Sequence, residues 1–137
     1  MKWSMNKKVA IDLGTANCLV YLAGEGLVME EPTVVAVSLS DGRVLAVGKK
    51  AQEMLGRTPG NIKASRPMRD GVVADYAVTR AMLTHFLRES GALKGFIKPE
   101  VMICVPAGVT QVERRAVLAA TMAAGARKAY LMEEPLA

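Results

Sequence analysis

Ala10-Ile-Asp-Leu-Gly-Thr-Ala-Asn-Cys-Leu-Val20 sets one carboxylate, Asp12, in an apolar run and follows it with the small or polar residues Gly14, Thr15, Ala16 and Asn17. A second apolar run then begins. The pattern reads as a strand, a tight turn and a returning strand. Backbone N–H groups in such a turn, with short hydroxyl and amide side chains, are donors for a phosphate. The adjacent Asp12 has the chemistry to hold a magnesium ion, directly or through water. On spacing alone, an ordinary hairpin with a buried or strand-terminal Asp fits equally well.

Outward from this hairpin the chain alternates short apolar runs and turn residues. Residues 9–13 read as a strand buried on both faces, 18–23 as its partner, and Gly24-Glu-Gly26 as a turn into a third strand over 27–30. Pro32 punctuates. Residues 33–39 and 43–47 form another strand pair around Ser40-Asp41-Gly42. A short helix is expected over 49–55, ended by Gly56. A loop over 57–61, an extended basic stretch over 62–67 and an Asp70-Gly71 turn into 72–74 follow. Asp75 suits the N-cap of a helix over 76–90, whose apolar stripe is Val78, Met82 and Phe86 and whose end is Gly91. The loop over 93–98 carries Phe96 and Ile97 between Lys94 and Lys98. Residues 101–105 are wholly apolar, which suits the middle of a parallel or mixed sheet. Thr110 and Glu113 have capping-box spacing for a helix to about 124. A last strand over 127–132 leads to Glu133-Glu-Pro135, with Pro135 placed as a first helical residue. Two residues cannot extend that helix into a stable element, so the sequence is expected to be the N-terminal part of a longer protein.

Composition narrows the classes. The chain has 137 residues, 51% of them apolar, enough for a sizeable core. The formal charge is +5, and the segment 49–70 holds six basic residues against two acids. That segment is either a solvated face or a surface for an acidic partner or anionic membrane. With three Tyr, two Phe and one Trp and no basic–aromatic interleaving, a nucleic-acid partner is not expected. Cys18 and Cys104 lie in strand-like apolar runs and read as buried thiols of a reducing cytosol rather than a disulfide. One His and no clustered Cys argue against zinc. His85 lies beside an apolar stripe and reads as a packing residue. The first eight residues lack the apolar core of a signal peptide, and no apolar run has transmembrane length.

Taken together, these blocks resemble the MreB family of bacterial actins. Asp12-Leu-Gly-Thr-Ala-Asn17 is similar to the first phosphate motif of the actin, sugar-kinase and chaperone ATPase superfamily. Gly56-Arg-Thr-Pro-Gly60, Arg66-Pro-Met-Arg-Asp-Gly-Val-Val-Ala-Asp75, Val105-Pro, Gln111-Val-Glu-Arg-Arg-Ala116 and Glu133-Glu-Pro135 look like the family's later blocks, in order and from Lys8 onward. The resemblance implies an α/β, actin-like (ribonuclease H-like) first domain, a mixed sheet with helices. Residues 1–31 and 76–137 would form an incomplete subdomain IA, and 32–75 a small inserted subdomain IB. The second phosphate motif, the adenine-binding glycines and the second large domain would lie beyond Ala137.

The resemblance also implies roles. ATP would lie against Gly14, Thr15, Ala16 and Asn17, with Asp12 near Mg2+, most simply through water. Glu134 matches the glutamate that orients the water attacking the γ-phosphate; the competing reading is that Glu133 and Glu134 only complement a helix N-terminus. Phe96 and Ile97 match a loop that dips into the inner face of the cell membrane, and Trp3 could add to it. Cys18 stands where threonine is common. The implied protein is a slow ATPase forming homopolymer filaments, cytoplasmic and peripheral on the inner membrane face, that works with the wall-elongation machinery to set rod shape. These 137 residues alone are expected to bind ATP very weakly. A DnaK-type chaperone ATPase shares the first phosphate motif but not the blocks at 66–75 and 113–116. A sugar kinase would need an acidic catalytic base that nothing identifies. A nonfunctional remnant is the remaining alternative.

Overall fold

The computed structural model describes residues 7–57, 60–68 and 76–134. Trp3, Asp70, Gly71, Asp75 and Pro135, and with them the expected turn at 70–71 and strand at 72–74, lie outside the described residues. Among the described residues, eight strands and three helices follow in the order β1 (Lys8–Leu13), β2 (Asn17–Leu22), β3 (Gly26–Pro32), β4 (Val35–Ser38), β5 (Val44–Val47), α1 (Lys49–Arg57), β6 (Ile62–Ser65), α2 (Tyr76–Glu89), β7 (Glu100–Val105), α3 (Gln111–Ala123) and β8 (Lys128–Glu133).

They build two sheets. The larger has the order β3-β2-β1-β7-β8, the smaller β5-β4-β6. The hairpins β1–β2 and β2–β3 are antiparallel, while β7 pairs parallel with both β1 and β8. The wholly apolar β7 therefore sits inside a mixed sheet, as its composition predicts.

One face of the large sheet carries the core. Val9, Ile11 and Leu13 of β1 and Val101, Ile103 and Val105 of β7 pack with Met82, Leu83, Phe86 and Leu87 of α2 and Val117 and Ala120 of α3. The expectation that β1 is buried on both faces is corrected here. Its burial alternates, and Ala10 and Asp12 are only half-buried. Both helices α2 and α3 cover the same side, so period-two alternation survives in β1 and β7. The uncovered side is where Asp12 projects.

The helices start and stop for local reasons. Thr110 Oγ1 accepts from Glu113 N at 3.1 Å and Glu113 Oε1 accepts from Thr110 N at 2.8 Å, so the expected capping box opens α3. The expected end of α1 at residue 55, with Gly56 as its terminator, falls two residues short: the helix runs through Gly56 to Arg57. A helical glycine costs only about 1 kcal/mol against alanine. Met54 and Leu55 recover it by packing against Val34, Ala36 and Ala51 in a second small core.

Candidate functional site

β1, β7 and β8 run in one direction, so their carboxyl ends meet at one end of the sheet. Asp12 stands there beside Cys104, which in turn stands beside Met132. Glu134 follows β8 directly, and its N–H donates to Val105 O at 2.8 Å. That bond carries the β7–β8 pairing one residue further and brings the Glu134 carboxyl to Asp12. The Glu134 carboxyl titrates above its ordinary range. The first cause is a hydrogen bond to Asp12, which favours protonated Glu134; burial and the Asp12 charge act in the same direction. Asp12 Oδ1 is buried and has no hydrogen-bond partner among the described residues. A buried carboxylate oxygen without a donor is a place that wants a cation or a polarised water.

The turn after Asp12 is closed by a bond from Gly14 N–H to Asn17 O at 3.1 Å. A Cβ on Gly14 would lie 2.7 Å from that oxygen. Only glycine lets the turn close so tightly. Thr15, Ala16 and Asn17 are exposed around it. Thr33 N–H donates to Ala16 O at 2.9 Å and ties the turn to the chain entering β4. Asp12, Gly14, Thr15, Ala16, Asn17 and Glu134 are thus brought to one end of one sheet.

Glu133 does different work. Its Oε2 lies 2.9 Å from Arg114 Nη2 on α3, and its Oε1 accepts from Gly108 N at 3.3 Å. These contacts hold the end of β8 against α3 and so fix the approach of Glu134. Sequence reasoning did not pair Arg114 with Glu133, because the two lie on separate elements with no shared periodicity.

Both cysteines are free thiols. Burial pushes the Cys18 thiol up, helped by the charges of Asp12 and Glu31. Burial, Asp12 and Glu134 push Cys104 the same way. Neither is a nucleophile at neutral pH. His85 is half-buried, and its Nε2 lies 3.3 Å from Glu31 Oε1, a carboxylate partner the sequence did not announce.

Phe96 and Ile97 lie at the far end of the sheet. Their loop precedes β7, whose first residue Glu100 donates to Lys7 O at 2.8 Å. Four residue steps of about 3.3 Å each separate the Lys8–Glu100 pair at that end from Asp12, a span of roughly 13 Å. Phe96 is fully exposed, whereas Ile97 is half-buried. Lys94 and Lys98 flank them, and Lys7 Nζ would be 3.5 Å from a Cβ on Gly95.

Among the described residues no three His, Cys, Asp or Glu side chains cluster as a metal cage. Asp12 and Glu134 fit a different manner of holding magnesium: one or two carboxylates, with water and phosphate oxygens completing the shell. No helix among the described residues is long and apolar enough to cross a membrane.

Comparison with known proteins places the fold and the family. Residues 6–137 match the family model described as MreB/Mbl protein. The chain is 49% identical over 129 residues to the cell shape-determining protein Mbl of Bacillus subtilis (strain 168). It is 52% identical over 135 residues to the cell shape-determining protein MreB of Escherichia coli (strain K12). Each alignment covers 94% of this chain and 39% of the relative, so the chain spans about 39% of the length of these curated relatives. Among solved structures, MreB5 of Spiroplasma citri bound to ADP superposes with a TM-score of 0.76 at 33% identity, over 94% of this chain and 38% of that one. A MamK chain bound to AMPPNP superposes with a TM-score of 0.75 at 24% identity, over 95% of this chain and 41% of that one, and shares the fold. The fold is actin-like, and the chain belongs to the MreB/Mbl family.

Proposed function

We propose that this chain supplies one wall of an ATP cleft in a bacterial actin-like protein whose nucleotide-controlled filaments determine cell shape. The observation that carries the reading is the meeting of Asp12 and Glu134 beside the Gly14 turn. It is supported by the relatives named for cell shape and by the solved MreB5 structures bound to ADP and to AMPPNP.

In this reading the turn offers Thr15 and Asn17 as donors to phosphate oxygens, and Gly14 lets its backbone approach them closely. Asp12 would hold Mg2+, most simply through water, and a magnesium ion there would supply positive charge to offset that of the phosphates. Glu134 would orient the water that attacks the terminal phosphate, a positioning role that phosphoryl transfer requires. Arg114, by fixing Glu133, positions Glu134.

Residues 1–31 and 76–137 would act as subdomain IA and 32–75 as inserted subdomain IB. That division is supported by the small sheet, whose three strands all come from within 32–75. Phe96, with its lysine neighbours, would insert into the inner face of an anionic membrane, each contact weak and made useful by polymerisation. The partners would be further copies of the protein and the wall-elongation machinery, with no nucleic acid.

The test joins this chain to the remaining part of E. coli MreB and measures ATP-dependent pelleting, with and without liposomes, and phosphate release. Glu134→Ala is expected to keep nucleotide binding and lose phosphate release. A joined protein that neither binds ATP nor pellets overturns the reading.

A further inference from the structure

The basic segment 49–70 contains one residue whose place in the fold has a specific consequence. Arg66 follows β6 directly. The antiparallel β4–β6 register pairs Val35 with Ser65, so one step further sets Arg66 opposite Val34 and next to Thr33. Arg66 is half-buried, yet among the described residues it makes no ion pair. It lines a recess of about 350 Å³ together with Thr15, Thr33 and Gln52.

Three features of this recess point to an anion. Thr33 Oγ1 is buried, on a residue 1% exposed, and has no hydrogen-bond partner among the described residues, which leaves its donor for a ligand. The polar residues that line the space, Arg66, Thr15, Thr33 and Gln52, carry a guanidinium, two hydroxyls and one amide, and no Asp or Glu lines it among the described residues. By contrast, the neighbouring recess shares Gln52 but is lined by Glu30 and Glu31. Finally, the recess opens against the phosphate turn itself, through Thr15 and Ala16.

We propose that Arg66, with the hydroxyls of Thr15 and Thr33, forms an oxyanion subsite that takes a phosphate group lying beyond the Gly14 turn. The proposal rests on the nucleotide reading above and adds a ligand group from the small sheet. The guanidinium supplies a planar pair of donors to two phosphate oxygens. Because Arg66 belongs to the small sheet and the turn to the large one, a phosphate held by both would bridge them. The ligand is a phosphate dianion, either the terminal group of a nucleoside triphosphate or free inorganic phosphate.

The experiment joins this chain to the remaining part of E. coli MreB, as above, and follows its backbone and Arg side-chain N–H signals by NMR during titration with inorganic phosphate, ADP or AMPPNP at fixed ionic strength. Inorganic phosphate is expected to shift Thr15, Thr33 and Arg66 saturably. Arg66→Gln should weaken this response by about tenfold or more, the loss of one charge-assisted hydrogen-bond pair. Thr33→Val, which removes a hydroxyl with no partner among the described residues, should weaken it several-fold without loss of thermal stability. Lys63→Gln removes an equal charge nearby and should leave it unchanged. If Arg66→Gln weakens AMPPNP but not ADP, the group held is the nucleotide's terminal phosphate; if it weakens only inorganic phosphate, the subsite holds the free ion. Equal effects of Arg66→Gln and Lys63→Gln, or no saturable phosphate response, overturn the subsite. ADP failing to shift Gly14 and Asn17 overturns the nucleotide reading instead, so the two failures are distinct.

Discussion

Gly48 and Glu31 share a space that no other residue at 48 would leave open. A Cβ on Gly48 would overlap Glu31 Oε1 and lie 3.0 Å from its Cδ, and Gly48 has a φ of +69°. The carboxylate that fills this space accepts from Lys49 N at 3.0 Å at the start of α1 and meets His85 of α2. One oxygen therefore joins the edge strand of the large sheet, the helix of the small sheet and a helix of the core. Gly48→Ala is expected to destabilise the chain by about 2–3 kcal/mol, from backbone strain plus the displaced hydrogen bonds. In a Glu31→Ala background the same change should cost measurably less, since the displaced partner is gone. Urea unfolding of the four proteins of this cycle checks it. Strict additivity would mean that the two residues do not constrain each other.

The phosphate turn depends on a similar close approach. Gly14→Ala sets a methyl 2.7 Å from Asn17 O, the acceptor of the bond that closes the turn. The turn must open, at about 1–3 kcal/mol by the usual range for a lost backbone contact with strain. In the protein joined to the remaining part of E. coli MreB, shifts of Asn17 induced by ADP should vanish in this variant, while the α3 capping-box signals stay where they are. An Asn17 response equal to that of the unaltered chain would show that ADP does not need the closed turn.

The local parts of this structure were legible because their signals are local. Thr110 and Glu113 lie three residues apart, and their reciprocal bonds need nothing from the rest of the chain. The apolar runs flanking Asp12 announce a hairpin in the same way. Glu31 and His85 are 54 residues apart, and no spacing rule brings an edge-strand carboxylate to a particular helix face. Arg114 and Glu133 escaped for the same reason. Gly56 misled in the other direction: a modest local penalty was read as a stop, and packing by Met54 and Leu55 outweighed it. Arg66 stands out in the sequence only as one of several bases; that no ion pair holds it among the described residues is a fact of the fold.

The carboxyl pair at the end of the sheet has a pH signature. Glu134 titrates above the ordinary carboxylate range, so the folded chain holds its proton to higher pH than the unfolded chain does. Stability from this group is therefore fully present below the ordinary carboxylate range and is lost as pH rises through the folded value. Glu134→Gln keeps a donor to Asp12 and removes the titration. It should be more stable than the unaltered chain at pH 7, with the difference shrinking as pH falls toward 4. Because Glu134 is exposed, solvent screens the effect and it will be small. Unfolding midpoints between pH 4 and 7 read it. A difference that grows on acidification would reverse the sign and remove Asp12 as the cause.

Phe96 offers the cleanest separation of stability from membrane binding. Its ring is fully exposed and contributes nothing to the core, so Phe96→Ser should change stability by no more than about 0.5 kcal/mol. Ile97 is half-buried, and Ile97→Ser should destabilise by about 1 kcal/mol or more, because it removes buried apolar area and leaves a hydroxyl in its place. The proposed insertion makes the opposite ranking for lipid. Co-sedimentation with anionic vesicles, where each nearby lysine adds about 1 kcal/mol of attraction, should fall more with Phe96→Ser than with Ile97→Ser. Lys94→Gln and Lys98→Gln should weaken binding to anionic vesicles and leave the residual binding to neutral ones unchanged. If Phe96→Ser pellets with vesicles as well as the unaltered chain does, the exposed ring is not a membrane contact, and the loop's exposure needs a protein partner instead.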